Sequence, residues 1–256
     1  MRVALTGGAT GIGAAVAEKL MSAGHDVVAF DISEPSQPVT QWVQTDLSDP
    51  TSIASALDSA TGTFDALINN AGLPPREGLE LTILQVNFFG MRAFLTGMLD
   101  KLDRGASIVN TASRAGAMWR DNLDEVKALM ALDPQDLSDF IASRSMDATR
   151  AYNLSKEAVI VLTMAQTEAM IQRGLRMNSV SPAAVSTGIL DDFTKAFGPK
   201  VAKNIARAGR PGTPEEIADI ILFLASPQSA WIKGQDITID GGMSAMGMTD
   251  MMGLPR

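Results

Sequence analysis

Tyr152 and Lys156 stand four positions apart in Tyr152-Asn153-Leu154-Ser155-Lys156. On a helix that spacing puts both side chains on one face, one turn apart. A free phenol has a pKa of about 10 and is a poor base at neutral pH. A neighbouring ammonium stabilises the phenolate and lowers that value. A Tyr–Lys pair can therefore act as a proton shuttle, which alcohol oxidation requires beside a hydride acceptor. Alone the pair is a weak signal, since a Tyr one turn before a Lys is an ordinary feature of surface helices. It gains weight only if the chain also supplies a nucleotide site.

The composition narrows what else the chain can do. Its 256 residues carry a net charge of −8, which argues against nucleic acid as a partner. It has no Cys, which excludes disulfides, thiol catalysis and Cys-ligated zinc. The single His, His25 in Ala23-Gly24-His25-Asp26, is expected at a helix-to-strand turn in a structural role. Ser-His-Asp catalysis and multi-His metal sites then lack their members, and no metal site is expected. No apolar run reaches the roughly 18 residues of a membrane span. The first residues run straight into a glycine loop with no leader-like segment, which favours the cytoplasm. Chemistry is left to Tyr, Ser, Lys, Asn, carboxylates and a cofactor.

The elements that must position such a pair can be followed along the chain. Val3-Ala4-Leu5 is a short strand entering Thr6-Gly7-Gly8-Ala9-Thr10-Gly11-Ile12-Gly13, followed by a helix-like run from Ala14 to Ala23. Strand, glycine loop and helix in that order are the context of a dinucleotide fingerprint. Gly7 allows the tight turn, Gly11 lets the backbone approach a pyrophosphate, and Gly13 lets the helix pack close to the strand; the phosphates meet free N–H groups at the helix start. A second strand, Asp26 to Phe30, ends at Asp31, roughly 20 residues past the glycines, where an acid accepts hydrogen bonds from ribose hydroxyls and repels a 2′-phosphate. Neither Thr10 nor Ile32 offers a positive charge there, so NAD is expected rather than NADP. Trp42 to Leu47 is read as a third strand whose Asp46 reaches the adenine amino group, and Ser48 and Pro50 open a helix through Leu57. Asp65 to Ile68 is a fourth strand running into Asn69-Asn70-Ala71-Gly72. Leu81 to Leu102 reads as one long helix carrying Asn87. Ser107 to Thr111 is a fifth strand with Ser113 just beyond it. A helix continues from the Tyr–Lys pair over Glu157 to Arg173, with Ala158, Val159, Val161, Leu162, Ala165 and Ala169 at helical spacing. Met177 to Ser181 and Gln235 to Asp240 complete about seven strands. Strands alternating with helices predict an α/β fold with a doubly wound parallel sheet, and no boundary, repeat or low-complexity segment divides residues 1–256.

Taken together, Thr6 to Gly13, Asn69 to Gly72, Asn87, Ser113, Tyr152 with Lys156 and a closing Asp240-Gly241-Gly242 make the chain resemble the short-chain dehydrogenase/reductase family over nearly its whole length. The resemblance implies a Rossmann-type fold and a hydride transfer between nicotinamide and an alcohol or carbonyl. It assigns Tyr152 as acid/base and Ser113 as the residue that holds the substrate oxygen near it. Lys156 is implied to bind the nicotinamide ribose and lower the Tyr152 pKa, and Asn87 to hold a water linking Lys156 to solvent. Implied cofactor contacts are Gly7, Thr10, Gly11, Ile12, Gly13, Asp31, Asp46, Leu47, Asn70, Ala71, Gly72, Tyr152, Lys156, Pro182, Val185 and Thr187, the last contacting the nicotinamide carboxamide. Read singly, Asn87 is a polar residue on a solvated helix face, Ser113 a turn residue and Thr187 a helix N-cap.

Two departures from the family pattern stand out. Ser113 and Tyr152 are 39 residues apart, whereas the family usually places them about a dozen apart. The segment of about 118–150 is read as a helical insertion beside the site; it is similar to one found in bacterial 3α-hydroxysteroid dehydrogenase/carbonyl reductases and in coniferyl-alcohol dehydrogenases. It falls where many family members pair subunits, so the expected homo-oligomer is a homodimer or a homotetramer. The second departure is Pro182-Ala183 where the family has Pro-Gly, so either the backbone there is ordinary or the loop is reshaped.

Ile189, Leu190, Phe193, Phe197, Val201 and Ile205 form a segment expected to cover an apolar substrate, with Met118 and Trp119 adding surface nearby. The closing Met243, Met246, Met248, Met251 and Met252 cover the pocket, meet another subunit, or form a loose tail. The expected activity is NAD-dependent oxidation of a hydrophobic alcohol such as a hydroxysteroid or a coniferyl-type alcohol. The alternative is a non-catalytic dinucleotide sensor on the same fold. A halide-binding dehalogenase conflicts with the intact glycine loop and Asp31.

Overall fold

The alternating pattern folds into one parallel sheet with helices on both faces. The computed structural model describes residues 1–254, so the last two residues of the expected domain lie outside it. In chain order come β1 (Arg2–Thr6), α1 (Gly11–Ser22), β2 (Asp26–Asp31), β3 (Gln41–Gln44), α2 (Pro50–Ser59) and β4 (Phe64–Asn69). Next are α3 (Glu80–Leu84), a π-helical stretch over Gln85–Gly90, α4 (Met91–Met98) and β5 (Leu102–Thr111). Then come α5 (Leu123–Ala131), α6 (Leu137–Ser143), α7 (Ala148–Ala165), α8 (Thr167–Gln172) and β6 (Arg176–Pro182). The chain closes with α9 (Leu190–Phe197), α10 (Pro199–Ala208), α11 (Pro214–Ala225), β7 (Asp236–Ile239) and α12 (Met243–Met252).

The strand order is β3-β2-β1-β4-β5-β6-β7, all parallel. The order reverses between β1 and β4, which opens a crevice at the carboxyl ends of the strands. Both faces are dry. Phe30, Phe64, Phe88, Phe94, Leu84 and Ile160 fill the layer under α2, α4 and α7. Val3, Leu5, Val16, Leu20, Ile217 and Ile221 fill the layer under α1 and α11. Burial on both faces is why these strands read as continuous apolar runs rather than alternating ones. Among the described residues no helix is long and apolar enough to cross a membrane.

Several expected elements are redrawn. The third strand stops at Gln44 rather than Leu47, because Asp46 Oδ1 accepts from the Ser48 amide and hydroxyl at 2.8 and 2.7 Å and turns the chain into α2. The long helix expected over 81–102 widens into the π stretch and ends at Met98; Leu102 already belongs to β5. The helix expected over 157–173 starts earlier, at Ala148, and breaks at Gln166. Asp147 caps its start, accepting the Arg150 amide at 2.7 Å. Near the break Thr163 and Thr167 hydroxyls donate to carbonyls one turn back, at Val159 (2.8 Å) and Thr163 (3.1 Å), a pattern that bends helices. The methionine-rich end is a helix, α12, rather than a loose tail. His25 sits at the expected turn, its Nδ1 3.0 Å from the amino terminus.

Candidate active site

Four loops meet at the crevice: those after β1, β4, β5 and β6. The first is the glycine loop. Gly7 and Gly11 have φ of +69° and +56°, a region that suits glycine. Gly13 is required for a different reason, since a Cβ there would lie 1.8 Å from the Gly7 carbonyl oxygen. Thr10 precedes α1 without capping it through its side chain, so the first amides of the helix stay open to an anion. Thr187, from the loop after β6, stands over this loop, its Cγ2 3.4 Å from the position of a Cβ on Gly11. It is not the N-cap of α9; that position is Ile189, and Thr187 instead accepts the Leu190 amide through its carbonyl at 3.1 Å. Loop, open helix start and overhanging Thr187 form the cradle that a dinucleotide pyrophosphate fits.

Asp31 closes β2 and accepts the Ala9 amide at 2.9 Å and the Ser33 amide at 3.0 Å, one on each oxygen. Each oxygen keeps a lone pair for a hydroxyl donor. Asp46 and Leu47 lie in the turn before α2, with Leu47 packed under Gly90, where a Cβ would lie 1.9 Å from the Leu47 carbonyl oxygen. The Asn69–Gly72 loop is held to β1 by Thr6, whose Oγ1 accepts the Asn70 and Ala71 amides at 3.0 and 3.2 Å. Asn70 Nδ2 donates to the Gly7 carbonyl at 2.9 Å and so ties this loop to the glycine loop. Pro182 ends β6, and Val185 bridges to Gly212. Ala183 is absent from the positive-φ residues, so the backbone there is ordinary.

The chemical groups come from β5, α7 and the π stretch. Ser113 follows β5 and stands near enough to Tyr152 for its hydroxyl to hold the phenol pKa down. Ser113 Oγ in turn accepts the Ala115 amide at 3.2 Å, which fixes its rotamer. Lys156 Nζ lies 5.8 Å from the Tyr152 ring centroid and donates to the Thr111 carbonyl at 2.9 Å. Asn87 is 1% exposed, not on a solvated face. Its side chain pairs with the Leu73 backbone, accepting from N at 2.7 Å and donating to O at 3.0 Å. It also donates to Ser155 Oγ at 3.3 Å, and Ser155 donates to the Tyr152 carbonyl at 2.7 Å. A Cβ on Gly72 would meet both Asn87 Oδ1 (3.2 Å) and Lys156 Nζ (3.4 Å). Asn87 thus locks the loop after β4 onto the turn of α7 that bears Tyr152.

Burial dominates the electrostatics of the pair. Burial pushes Tyr152 up to about 12, against which the Ser113 hydrogen bond acts. Burial also draws Lys156 down to about 8. Burial thus shifts both groups toward their neutral forms.

The sequence-expected groups lie on the loops after β1 to β6, on α7 and in the π stretch, and Asp46 Oδ1 also turns the chain into α2. The structure adds groups the sequence analysis did not single out. Thr6 and the Thr111 carbonyl hold the site from the strand ends; a carbonyl leaves no mark in the sequence, though a hydroxyl before the glycines does. Of the apolar segment already expected over the substrate, Phe193 on α9 meets the Tyr152 ring edge-on at 5.3 Å and stacks on Phe197 at 6.4 Å. Arg76 reaches from the loop after β4 to Asp192 at 2.8 Å, which holds α9 across the crevice.

Comparison with known proteins follows the same lines. Residues 2–123 match the model described as short chain dehydrogenase, and residues 136–244 the one described as Enoyl-(Acyl carrier protein) reductase. The coniferyl-alcohol dehydrogenase of Pseudomonas sp. (strain HR199 / DSM 7063) is 32% identical over 247 residues, 95% of this chain and 96% of that protein. The 3-alpha-hydroxysteroid dehydrogenase/carbonyl reductase of Comamonas testosteroni is 29% identical over 250 residues, 95% and 96% of the two chains. The crystal structure of the 3-alpha-hydroxysteroid dehydrogenase from Pseudomonas sp. B-0831 complexed with NADH aligns over all of both chains, with a TM-score of 0.82 and 30% identity.

Proposed function

Since the chain belongs to the short-chain dehydrogenase/reductase family, whose members are oxidoreductases that bind a nicotinamide dinucleotide, we propose that it is an NAD-dependent dehydrogenase of hydrophobic alcohols. The observation that carries this reading is the buried Tyr152 beside the buried Lys156, whose Nζ lies 5.8 Å from its ring centroid, with Ser113 acting on the phenol from the end of β5. When bound, the dinucleotide supplies the hydride acceptor in oxidation and the donor in reduction. Tyr152 takes the proton of the substrate hydroxyl in oxidation and returns it in reduction. Ser113 holds the substrate oxygen against Tyr152. Lys156 and Asn87, gathered around Gly72, carry the proton onward and hold the ribose side of the cofactor.

NAD rather than NADP is proposed from Asp31, whose carboxylate ends β2 beside the glycine loop where a 2′-phosphate would sit. A hydrophobic substrate is proposed from Phe193 and Phe197, which line up over Tyr152, with Trp119 packed on the same core. The names of the relatives and that apolar cover favour a hydroxysteroid or a coniferyl-type alcohol. A homo-oligomer, dimer or tetramer, is proposed from the resemblance, and Trp231, 93% exposed, offers it an apolar contact. The non-catalytic sensor is the weaker reading, because a sensor needs no Ser beside a buried Tyr–Lys pair.

The test is NADH formation from NAD, with NADP in parallel, against steroid, aryl-allylic, aliphatic and sugar alcohols, using wild type and Tyr152→Phe. We expect turnover with steroid or aryl-allylic alcohols and a loss of at least about 10²-fold in Tyr152→Phe, the scale of acid–base catalysis, with NADH binding retained. Near-normal turnover in that variant would remove Tyr152 from its role.

A further inference from the structure

Glu157 follows Lys156 directly and is fully buried, with 0% exposure. A buried carboxylate is costly unless it is paired and hydrogen-bonded. Here Arg150, two turns earlier on α7, grips it with a two-pronged contact: Nη1 to Oε1 at 3.0 Å and Nη2 to Oε2 at 2.7 Å. Asn122 Nδ2 adds a third hydrogen bond to Oε1 at 2.7 Å. The same guanidinium donates to Glu125 Oε2 of α5, from Nε at 3.1 Å and from Nη2 at 2.8 Å. Arg144, just past α6, lies 3.8 Å from Glu125 Oε1. Two cations and two anions thus balance in one partly buried cluster.

The position of this cluster matters more than its charge. Arg150 and Glu157 bracket Tyr152 and Lys156 in sequence, and their side chains leave α7 on the face turned toward α5. Ser113 and Tyr152 are 39 positions apart, and closing so long a connection over the site costs conformational entropy that a short one would not. Two contacts recover the geometry. Gly116, in the turn after Ser113, packs so closely on α7 that a Cβ there would lie 2.8 Å from the Lys156 carbonyl carbon. Asn122 and Glu125, a few residues on, are tied to α7 through Glu157 and Arg150.

We propose that Arg150 and Glu157 are positioning residues, a buried clamp through which the segment after β5 fixes the Tyr152–Lys156 turn against Ser113. The inference rests on the reading of Tyr152 as the acid/base. Neither residue touches the reacting atoms; each acts by holding α7 in register with the Ser113 turn.

Three variants test it: Arg150→Lys, the double Arg150→Met/Glu157→Met, and Tyr152→Phe as control. Each is measured for thermal unfolding, NADH binding by fluorescence, and kcat and KM with the best alcohol of the panel. Arg150→Met alone would strand the Glu157 charge, so the double variant removes both charges together and is expected to unfold near the wild-type temperature. Its kcat should fall about 10- to 100-fold, because a small misplacement of a reacting group has that effect. KM and NADH affinity should stay within about threefold, since binding groups are untouched. Arg150→Lys keeps the charge but not the fork, and should lose kcat by less. A folded double variant with wild-type kcat, or kcat that recovers in step with stability, would reduce the pair to a structural role and overturn the proposal. Should the double variant not fold, Arg150→Lys decides alone: wild-type kcat in it overturns the clamp. Activity surviving in Tyr152→Phe would instead sink the catalytic reading, whatever the clamp does.

Discussion

Tyr152 and Lys156 carry opposite burial penalties. At an ordinary pKa the phenol ionises near pH 10; pushed up to about 12, its phenolate fraction at pH 8 is only roughly 10⁻⁴. Carbonyl reduction needs the protonated phenol and alcohol oxidation needs the phenolate. Oxidation followed as kcat/KM, which reports the free enzyme, should therefore rise steadily from about pH 7 to 10, while reduction stays level over that range. Rates in both directions that ignore pH would contradict this assignment. The same pair shapes stability. Lys156 titrates near 8 when folded and higher when unfolded, so between those values the unfolded chain holds more protons and stability rises with pH. Tyr152 acts the other way. Its folded pKa lies above the unfolded one, so its contribution is full below about pH 10 and is lost as pH rises toward 12.

At the scale of elements, the site depends on how closely β1, α1 and β4 approach one another. Gly13 is the contact point, where a side chain would collide with the Gly7 carbonyl oxygen and with Asn70 Nδ2, 1.8 and 2.7 Å from its Cβ. Gly13→Ala should destabilise the fold by about 1–3 kcal/mol, the usual cost of overpacking. It should also weaken NADH binding about tenfold or more, because α1 must back away from the loop it completes. Thermal unfolding and a fluorescence titration check the two effects, and normal NADH binding by the Gly13→Ala variant would show that the close approach is dispensable. The π stretch at Gln85–Gly90 plays a comparable part, since it sits where Asn87 turns inward to bond Leu73 and Ser155. Bulges of this kind recur at functional sites.

At the scale of the whole molecule, one sheet carries both the dinucleotide cradle and the proton-transfer groups. A ligand bound across the β1–β4 crevice therefore stabilises the fold as a unit. Saturating NADH at about 100 times its Kd should add about 2.7 kcal/mol and raise the unfolding temperature. At equal concentration NADPH should raise it less, because Asp31 repels a 2′-phosphate, and Asp31→Ala should narrow the gap between the two. Equal shifts from both cofactors in the wild type would show that Asp31 does not select between them.

The sequence by itself determined the order of elements, the glycine loop, Asp31 and the Tyr–Lys pair, because each rests on a local requirement: a positive φ, a helical spacing, or a side chain at a strand end; Ser113 and Asn87 were legible only through the family resemblance. Local pattern also mislaid some boundaries. The strand ending at Leu47 and the helix running to Leu102 kept a favourable apolar period past the point where a turn or a widened helix took over. Only the tertiary structure decided what depends on groups far apart in the chain. It buried Tyr152 and so pushes its pKa up to about 12, an effect that spacing alone does not contain. It turned Asn87 from a helix-surface residue into the link between Leu73 and α7. It also joined Arg150 and Glu157 to Glu125 across the long connection from Ser113 to Tyr152. Desolvation and long-range pairing are properties of the packed whole, so no window of the sequence contains them.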